Sequence, residues 1–271
     1  MKGRVLIVAG SDSSGGAGIQ ADIKTVTALG GYAATAVTAL TAQSTLGISG
    51  IVPVAPAFVR QQMEAVLGDI GADCIKTGML HDAGIIAAVA DCLAAAAPDV
   101  PRVVDPVMVS TSGARLLDEA AIGVLKERLI AGAAVLTPNI PEAEALLGRP
   151  IAGAEAMAEA AAVLRKLGAA TVVLTGGHLG GATVRDVVVE GDARYVLESP
   201  RIETRHTHGT GCTLASAIAA GLAQGLSTRA AIERARDFVQ RAIRSAPGYG
   251  KGHGPVDHAH TVGVSRPCSD P

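Results

Sequence analysis

Aromatic side chains are nearly missing from this chain: among 271 residues there are three Tyr, two Phe and no Trp. A surface that stacks nucleic-acid bases is therefore not expected. Charge of one sign is lacking as well. The formal net charge is −2, and the 23 Lys and Arg residues are scattered, which excludes the basic footprint of a nucleic-acid binder. No apolar run is both long and uncharged enough to span a bilayer; the Ala-rich stretch 83–97 is short and carries Asp91. Cysteine is scarce. Cys74, Cys92, Cys212 and Cys268 show no Cys-x-x-Cys spacing, and Cys74 and Cys92 read as core. No leader pattern precedes the first strand-like run, which begins at Arg4. The expectation is a cytoplasmic protein with no nucleic-acid partner and no membrane partner.

What is present is aliphatic. Apolar residues make up 49% of the chain, so the core must be built of Ala, Val, Leu and Ile, which suits parallel strands covered by helices. Strand-like runs fall at 4–9, 32–39, 73–76, 102–105, 133–136, 170–175, 184–189 and 194–197. Helical patterns fall at 17–29, 56–69, 82–96, 118–129, 141–147, 154–167, 212–224 and 228–245. The alternation predicts an α/β fold: a three-layer, doubly wound, mostly parallel sheet with helices on both faces. The runs 184–189 and 194–197 read as a hairpin at one edge. No linker divides the chain, so 1–262 is expected to form one domain, followed by a loose tail over 263–271.

In such sheets ligands bind at the carboxyl ends of the strands. The polar and glycine-rich segments collect there. The most informative is Thr-His-Gly-Thr-Gly-Cys-Thr-Leu (207–214), a glycine-rich turn running straight into an apolar helix. Its backbone N–H groups, at the positive end of a helix dipole, form an anion site suited to phosphate. Cys212 stands at the helix start, where the same field favours a thiolate. A second glycine-rich turn, residues 10–18, includes Gly10 and Asp12 but fits neither a Walker A loop nor a dinucleotide fingerprint, which argues against an NAD-dependent oxidoreductase. Gln43, placed just past the second strand, can pair with a heterocycle edge through its amide. Asp105, Asn139 and Glu142 at adjacent strand ends suit hydrated Mg²⁺, although Glu142 equally suits a helix first turn. Asp22 lies inside a helix, where the usual reading is a surface acid. The His-x-His pairs 206/208 and 258/260 lack a third ligand at useful spacing, and zinc is not expected.

Taken in order, these segments resemble the hydroxymethylpyrimidine/phosphomethylpyrimidine kinases of the ribokinase-like superfamily. The resemblance covers about residues 4–260. It rests above all on Ala-Gly-Ser-Asp-Ser-Ser-Gly-Gly-Ala-Gly-Ile-Gln-Ala-Asp-Ile-Lys-Thr (9–25) and Thr-His-Gly-Thr-Gly-Cys-Thr (207–213). Lys-Thr-Gly-Met-Leu (76–80), Asp-Pro-Val-Met (105–108), Thr-Pro-Asn-Ile-Pro-Glu-Ala (137–143) and Thr-Gly-Gly-His (175–178) support it.

The resemblance implies an ATP- and Mg²⁺-dependent kinase acting on 4-amino-5-hydroxymethyl-2-methylpyrimidine and then on its monophosphate, in thiamine biosynthesis. It implies that Gly10, Asp22, Gln43, Met79, Val107 and Met108 line the pyrimidine pocket. Asn139, Glu142, Thr175 and Gly177 would face the nucleotide, with Asp105 and Glu142 towards Mg²⁺. Gly209, Thr210 and Gly211 would form the anion hole, and Cys212 takes the place of the superfamily's general base. Many relatives carry Lys directly before Gly-Gly-His. Here it is Thr175, so a cation on the phosphates is expected from Lys251 or from an ion. The resemblance also suggests a homodimer. The alternatives are a pyridoxal or pyridoxine kinase and, more remotely, a non-catalytic ligand-binding module on the same fold.

Overall fold

A computed structural model describes residues 2–110 and 113–263. Gly263 apart, the expected tail lies outside the described residues, as does Cys268. Among the described residues nine strands form one sheet in the order β3-β2-β1-β4-β5-β6-β7-β8-β9. They are β1 (Arg4–Asp12), β2 (Tyr32–Ser44), β3 (Gly47–Pro53), β4 (Cys74–Thr77), β5 (Arg102–Val104), β6 (Val135–Leu136), β7 (Thr171–Leu174), β8 (Thr183–Glu190) and β9 (Ala193–Pro200). The six strands β2-β1-β4-β5-β6-β7 run parallel, while β3, β8 and β9 are antiparallel additions at the edges. The expected hairpin is β8–β9, with Glu190 opposite Ala193.

Side-chain alternation assigns each strand residue to one of two cores. Leu6, Val8, Ile75, Val104, Leu136, Val172 and Leu174 face one layer of helices. Val5, Ile7, Ala9, Cys74, Val103, Val135 and Val173 face the other. The first layer holds α2 (Pro56–Asp69), α3 (Ala83–Ala96), α4 (Ala121–Leu125), α5 (Ile140–Leu147) and α6 (Gly153–Arg165). The second holds α1 (Gly18–Ala28), α7 (Thr210–Ala223) and α8 (Thr228–Arg244). Cys74 and Cys92 are buried core residues. Pro141 sits in the first turn of α5, where its missing N–H costs nothing.

Two departures from the sequence reading matter. The helical pattern 118–129 is a short helix, α4, continued by a π-helical turn over Lys126–Ile130. The second strand does not stop at residue 39. It continues to Ser44 and turns back as β3, so Gln43 lies within β2, paired with Ile48. Glycines at 47 and 50 and a proline at 53 hide β3 from a period-2 reading.

Because β2 and β4 flank β1 on opposite sides, the chain reverses direction along the sheet at β1. A crevice opens at that switch point, at the carboxyl ends of the strands.

Candidate active site

The crevice has a volume of about 560 Å³ and runs from Gln43 on β2 to Arg236 and Gln240 on α8. Its centre is the N-terminus of α7. Gly209, the residue before the helix, has φ +85°, a left-handed conformation that disfavours a side chain, and an added Cβ would overlap the Gly16 carbonyl. Thr210 Oγ1 donates to Thr207 O at 3.1 Å and Thr213 Oγ1 to Gly209 O at 2.7 Å, which stiffens the turn. No side chain caps this N-terminus. Gly209, Thr210, Gly211 and Cys212 all line the crevice, so the uncapped first-turn N–H groups lie where an anion would be held.

Behind this turn is a buried ion pair absent from the sequence reading. Lys76 follows Ile75 on β4, so its side chain leaves the sheet on the same side as Cys74, towards α1 and α7. Its Nζ lies 2.9 Å from both carboxylate oxygens of Asp22 and 3.6 Å from Asp105 Oδ2. Ser216 Oγ on α7 donates to Asp22 Oδ1 at 2.7 Å. Asp22 is therefore not a surface acid. It is fully buried, and it does not line the crevice: it stands behind Lys76, which does. Burial pushes the Asp22 carboxyl up, but three donated hydrogen bonds describe an anion. Burial alone would drive Lys76 towards neutrality; Asp22 first, with Cys212 and Asp105, holds its ammonium above the ordinary lysine value.

Two further carboxyls complete the floor. Glu142 and Asn139 form a capping box at the start of α5: Asn139 N donates to Glu142 Oε2 and Glu142 N donates to Asn139 Oδ1, each at 2.9 Å. Burial and the neighbouring Asp105 push the Glu142 carboxyl up. Burial does the same to Asp105, against the pull of Lys76, and its Oδ2 has no hydrogen-bond partner among the described residues. Two buried acids that disfavour each other's charge, one with an unsatisfied oxygen, are a fit donor set for a hard divalent cation. No group of three or more His, Cys, Asp or Glu suited to a metal occurs among the described residues, so a cation here would rely on oxygens of water or substrate for the rest of its shell.

Cys212 is half-buried at the crevice floor. Burial pushes its thiol up to about 12; Lys76 opposes this, and Asp105 and Asp22 reinforce it. The expected thiolate is thus corrected to a thiol. Desolvation and two carboxylates outweigh the helix dipole.

On the other flank, Gly10, Gln43, Met79, Val107 and Met108 line the crevice together, and a Cβ at Gly10 would come within 2.9 Å of Met79 Sδ. Asp12 and His208, to which no role was assigned from sequence, join them. On the far side lie Asn139, Thr175 and Gly177, with an isolated β-bridge between Asn139 and Thr175. Asp186 accepts from Gly176 N at 3.0 Å and from Arg236 Nε at 2.8 Å. Arg201 donates to the carbonyls of Gly177, Leu179 and Gly181. Lys251 does not line the crevice; it is exposed in the segment over 248–254. The cations that do line it are Lys76, Arg201 and Arg236. A lysine directly after the apolar Cys74 and Ile75 in a buried strand was the available signal for the first of these.

A family model described as phosphomethylpyrimidine kinase matches residues 12–257. The chain belongs to the phosphomethylpyrimidine kinase family. It is 54% identical over 260 residues to the thiamine biosynthesis bifunctional protein ThiED of Geobacter sulfurreducens, covering 95% of this chain and 52% of that protein, so it spans about half of that relative's length. It is 47% identical to a hydroxymethylpyrimidine/phosphomethylpyrimidine kinase of Rhizobium meliloti, covering 94% of this chain and 96% of that one. The fold superposes on a pyridoxal kinase of Bacillus subtilis in an ADP complex with a TM-score of 0.89, at 36% identity and covering 96% and 98% of the two chains. The ribokinase-like fold and the kinase activity expected from the sequence are those of this family. A pyridoxal kinase of Staphylococcus aureus, 35% identical and superposing with a TM-score of 0.87, is solved in complex with AMP-PCP. Among the described residues no helix is long and apolar enough to cross a membrane.

Proposed function

We propose that the chain transfers the terminal phosphoryl group of ATP first to the hydroxymethyl oxygen of 4-amino-5-hydroxymethyl-2-methylpyrimidine and then to the phosphate of the monophosphate. One observation carries the reading. The uncapped N-terminus of α7 stands between a small apolar pocket with an amide at its rim and a pair of buried acids fit for a divalent cation.

Met79, Val107 and Met108 bury the faces of a small heterocycle, and Gln43 pairs with its polar edge. The N–H groups of Gly209, Gly211 and Cys212 meet the oxygens of the transferring phosphoryl, where negative charge accumulates, while the Thr210 N–H donates to Thr207 O and holds the turn. Lys76 adds a fixed cation beneath them. Asp105 and Glu142 would hold Mg²⁺, which would neutralise phosphate charge. Asn139, Thr175 and Gly177 border the nucleotide side, with Arg236 and Gln240 of α8 beyond them.

Phosphoryl transfer asks mainly for alignment and charge neutralisation, so the acceptor hydroxyl need not ionise early. Cys212 contacts that hydroxyl as a thiol. The hydroxyl proton leaves late, once the oxygen has become acidic by bonding to phosphorus, and passes to a non-bridging oxygen of the transferred phosphoryl group.

A cytoplasmic homodimer belongs to the same proposal. Leu40 and Val52 are paired across β2–β3 and are 52% and 63% exposed, an apolar strip on an edge ribbon that a second copy would cover.

The solved-structure likeness to a pyridoxal kinase favours pyridoxal as the second substrate to try. The test is coupled ADP release with Mg²⁺-ATP on hydroxymethylpyrimidine, its monophosphate and pyridoxal. Turnover of both pyrimidines above pyridoxal is expected. Pyridoxal as the best substrate would overturn the pyrimidine reading, and ligand binding with no ADP release would restore the binding-module alternative.

A further inference from the structure

Asp12 ends β1 and is almost completely buried. Its carboxylate accepts from Ser14 N at 2.8 Å, Gly16 N at 3.2 Å and Ala17 N at 2.8 Å, so it holds the glycine-rich turn closed over itself. Burial pushes this carboxyl up, but the hydrogen bonds, that from His208 foremost, bring it below the ordinary aspartate value. It is an anion. Ser14 Oγ donates to it as well, at 2.8 Å, and His208 Nε2 lies 2.8 Å from Asp12 Oδ2. An anionic oxygen at that distance requires the hydrogen on Nε2.

The same Nε2 lies 3.3 Å from the Gln43 side-chain amide, whose nitrogen is placed on that side. Two N–H groups cannot bond to each other. Thr41 Oγ1 supplies the other constraint. It lies 2.9 Å from Ser11 O and 3.2 Å from the far end of the Gln43 amide. It has one hydrogen, and the shorter contact takes it. The clash is removed when the amide turns: Nε2 of Gln43 donates to Thr41 Oγ1, and Oε1 shares the His208 Nε2 hydrogen with Asp12 as the longer arm of a three-centre bond.

His208 is also the residue directly before Gly209 of the anion loop. Its N donates to Gly254 O at 3.1 Å, and its ring packs so closely on Gly16 that a Cβ there would overlap His208 Cδ2. One imidazole thus touches the glycine-rich turn, the residue that reads the ring edge and the phosphate-binding turn.

We propose that His208, held by Asp12, is a positioning residue that orients the Gln43 amide and ties ring recognition to the anion loop. The inference rests on the functional reading above for its kinetic test, and a structural readout independent of turnover accompanies it.

The kinetic test is a double-mutant cycle of His208→Asn and Gln43→Ala, read as KM for hydroxymethylpyrimidine and as kcat. Asn has no polar atom at the Nε2 position and is expected to raise KM at least about tenfold, as is Gln43→Ala. Because both act on one contact, the double variant is expected to show the KM of Gln43→Ala alone, whereas independent effects would multiply. His208→Gln, which restores a donor near the Nε2 position, is expected to bring KM back to within about threefold of the parent protein. Multiplying effects, or no recovery in His208→Gln, would overturn the proposal.

The independent readout is the ¹⁵N NMR spectrum of the histidine-labelled parent chain, with His208→Gln as the assignment control. It should show a protonated Nε2 for His208, whether or not the protein turns over a pyrimidine. An unprotonated Nε2 would refute the arrangement even if a variant fails to fold. Absence of pyrimidine turnover in the parent chain with a protonated Nε2 would instead count against the substrate reading.

Discussion

Cys212 offers the sharpest check on the site's electrostatics. Its thiol is pushed from 9.0 to about 12, which corresponds to ~4 kcal/mol against ionisation. At pH 7.5 a thiol of pKa 9 is about 3% thiolate, and one of pKa 12 about 0.003%, a ratio of about 1,000. The more basic thiolate is intrinsically more nucleophilic, by about 15- to 30-fold for a Brønsted slope of 0.4–0.5. Alkylation of Cys212 by iodoacetamide is therefore expected to be about 30- to 60-fold slower than that of the same residue in the denatured chain. Peptide-level mass spectrometry of a time course separates Cys212 from the other cysteines. In parallel, kcat should stay flat between pH 7 and 9, because a thiolate base would make it climb about tenfold per pH unit. Alkylation of native Cys212 at or above the denatured rate would refute the reasoning and restore the thiolate base.

Lys76→Met leaves Asp22 buried and uncompensated and should cost about 3–5 kcal/mol in denaturant unfolding, with part of that recovered in the double variant with Asp22→Asn. Gly209→Ala places a Cβ against the Gly16 carbonyl at a residue with φ +85°; kcat is expected to fall at least about 100-fold, the loss typical of a broken oxyanion site, and near-normal kcat would show that the turn is not the anion hole. Glu142 is pushed up to about 8, so the folded ligand-free chain binds more protons than the unfolded one from the ordinary carboxylate range up to that value. Stability should accordingly fall as pH rises across this window, read by thermal melts from pH 5 to 9; a flat or rising curve would count against it. Mg²⁺-nucleotide binding at pH 7 should release about one proton from the Asp105–Glu142 pair, and almost none at pH 9; calorimetry in two buffers of different ionisation enthalpy checks this.

The parallel core was legible because Val, Ile and Leu runs alternate with helical patterns, and each such run became a strand. The glycine turn at the start of α7 was legible because Gly209 and Gly211 stand beside an apolar helical run, a local pattern. What escaped was set by contacts far apart in sequence. Lys76 and Asp22 are 54 positions apart, and Asp12 and His208 are 196. Asp22 read as a surface acid because a helix wheel cannot show that the strand beside it carries a buried lysine. The thiolate expected at Cys212 came from the helix dipole alone, a term confined to the first turn. The carboxylates that reverse it come from Asp105, just past β5, and from Asp22 on α1, whose approach only the folded chain reveals. The hairpin of β2 and β3 escaped for a different reason: its residues alternate weakly, and packing on one face holds it.

These long-range contacts also explain how a site with Thr175 in place of a lysine keeps a fixed cation. A cation on the nucleotide loop would sit on a mobile stem in solvent and lose rotamer freedom on binding. Lys76 loses none, because folding has already immobilised it between Asp22 and Asp105. Its desolvation is met by Asp22, and Ser216 from α7 occupies an oxygen of that carboxylate, so the cation is locked to the helix whose uncapped N-terminus lines the crevice. The floor then carries Lys76 and Asp22 as a neutral pair, with Asp105 and Glu142 partly protonated. A binding crevice so close to neutral does not repel a polyphosphate. A divalent cation at Asp105 and Glu142 would displace the protons of that pair, and the charge separation this creates would couple metal, nucleotide and the turn before α7.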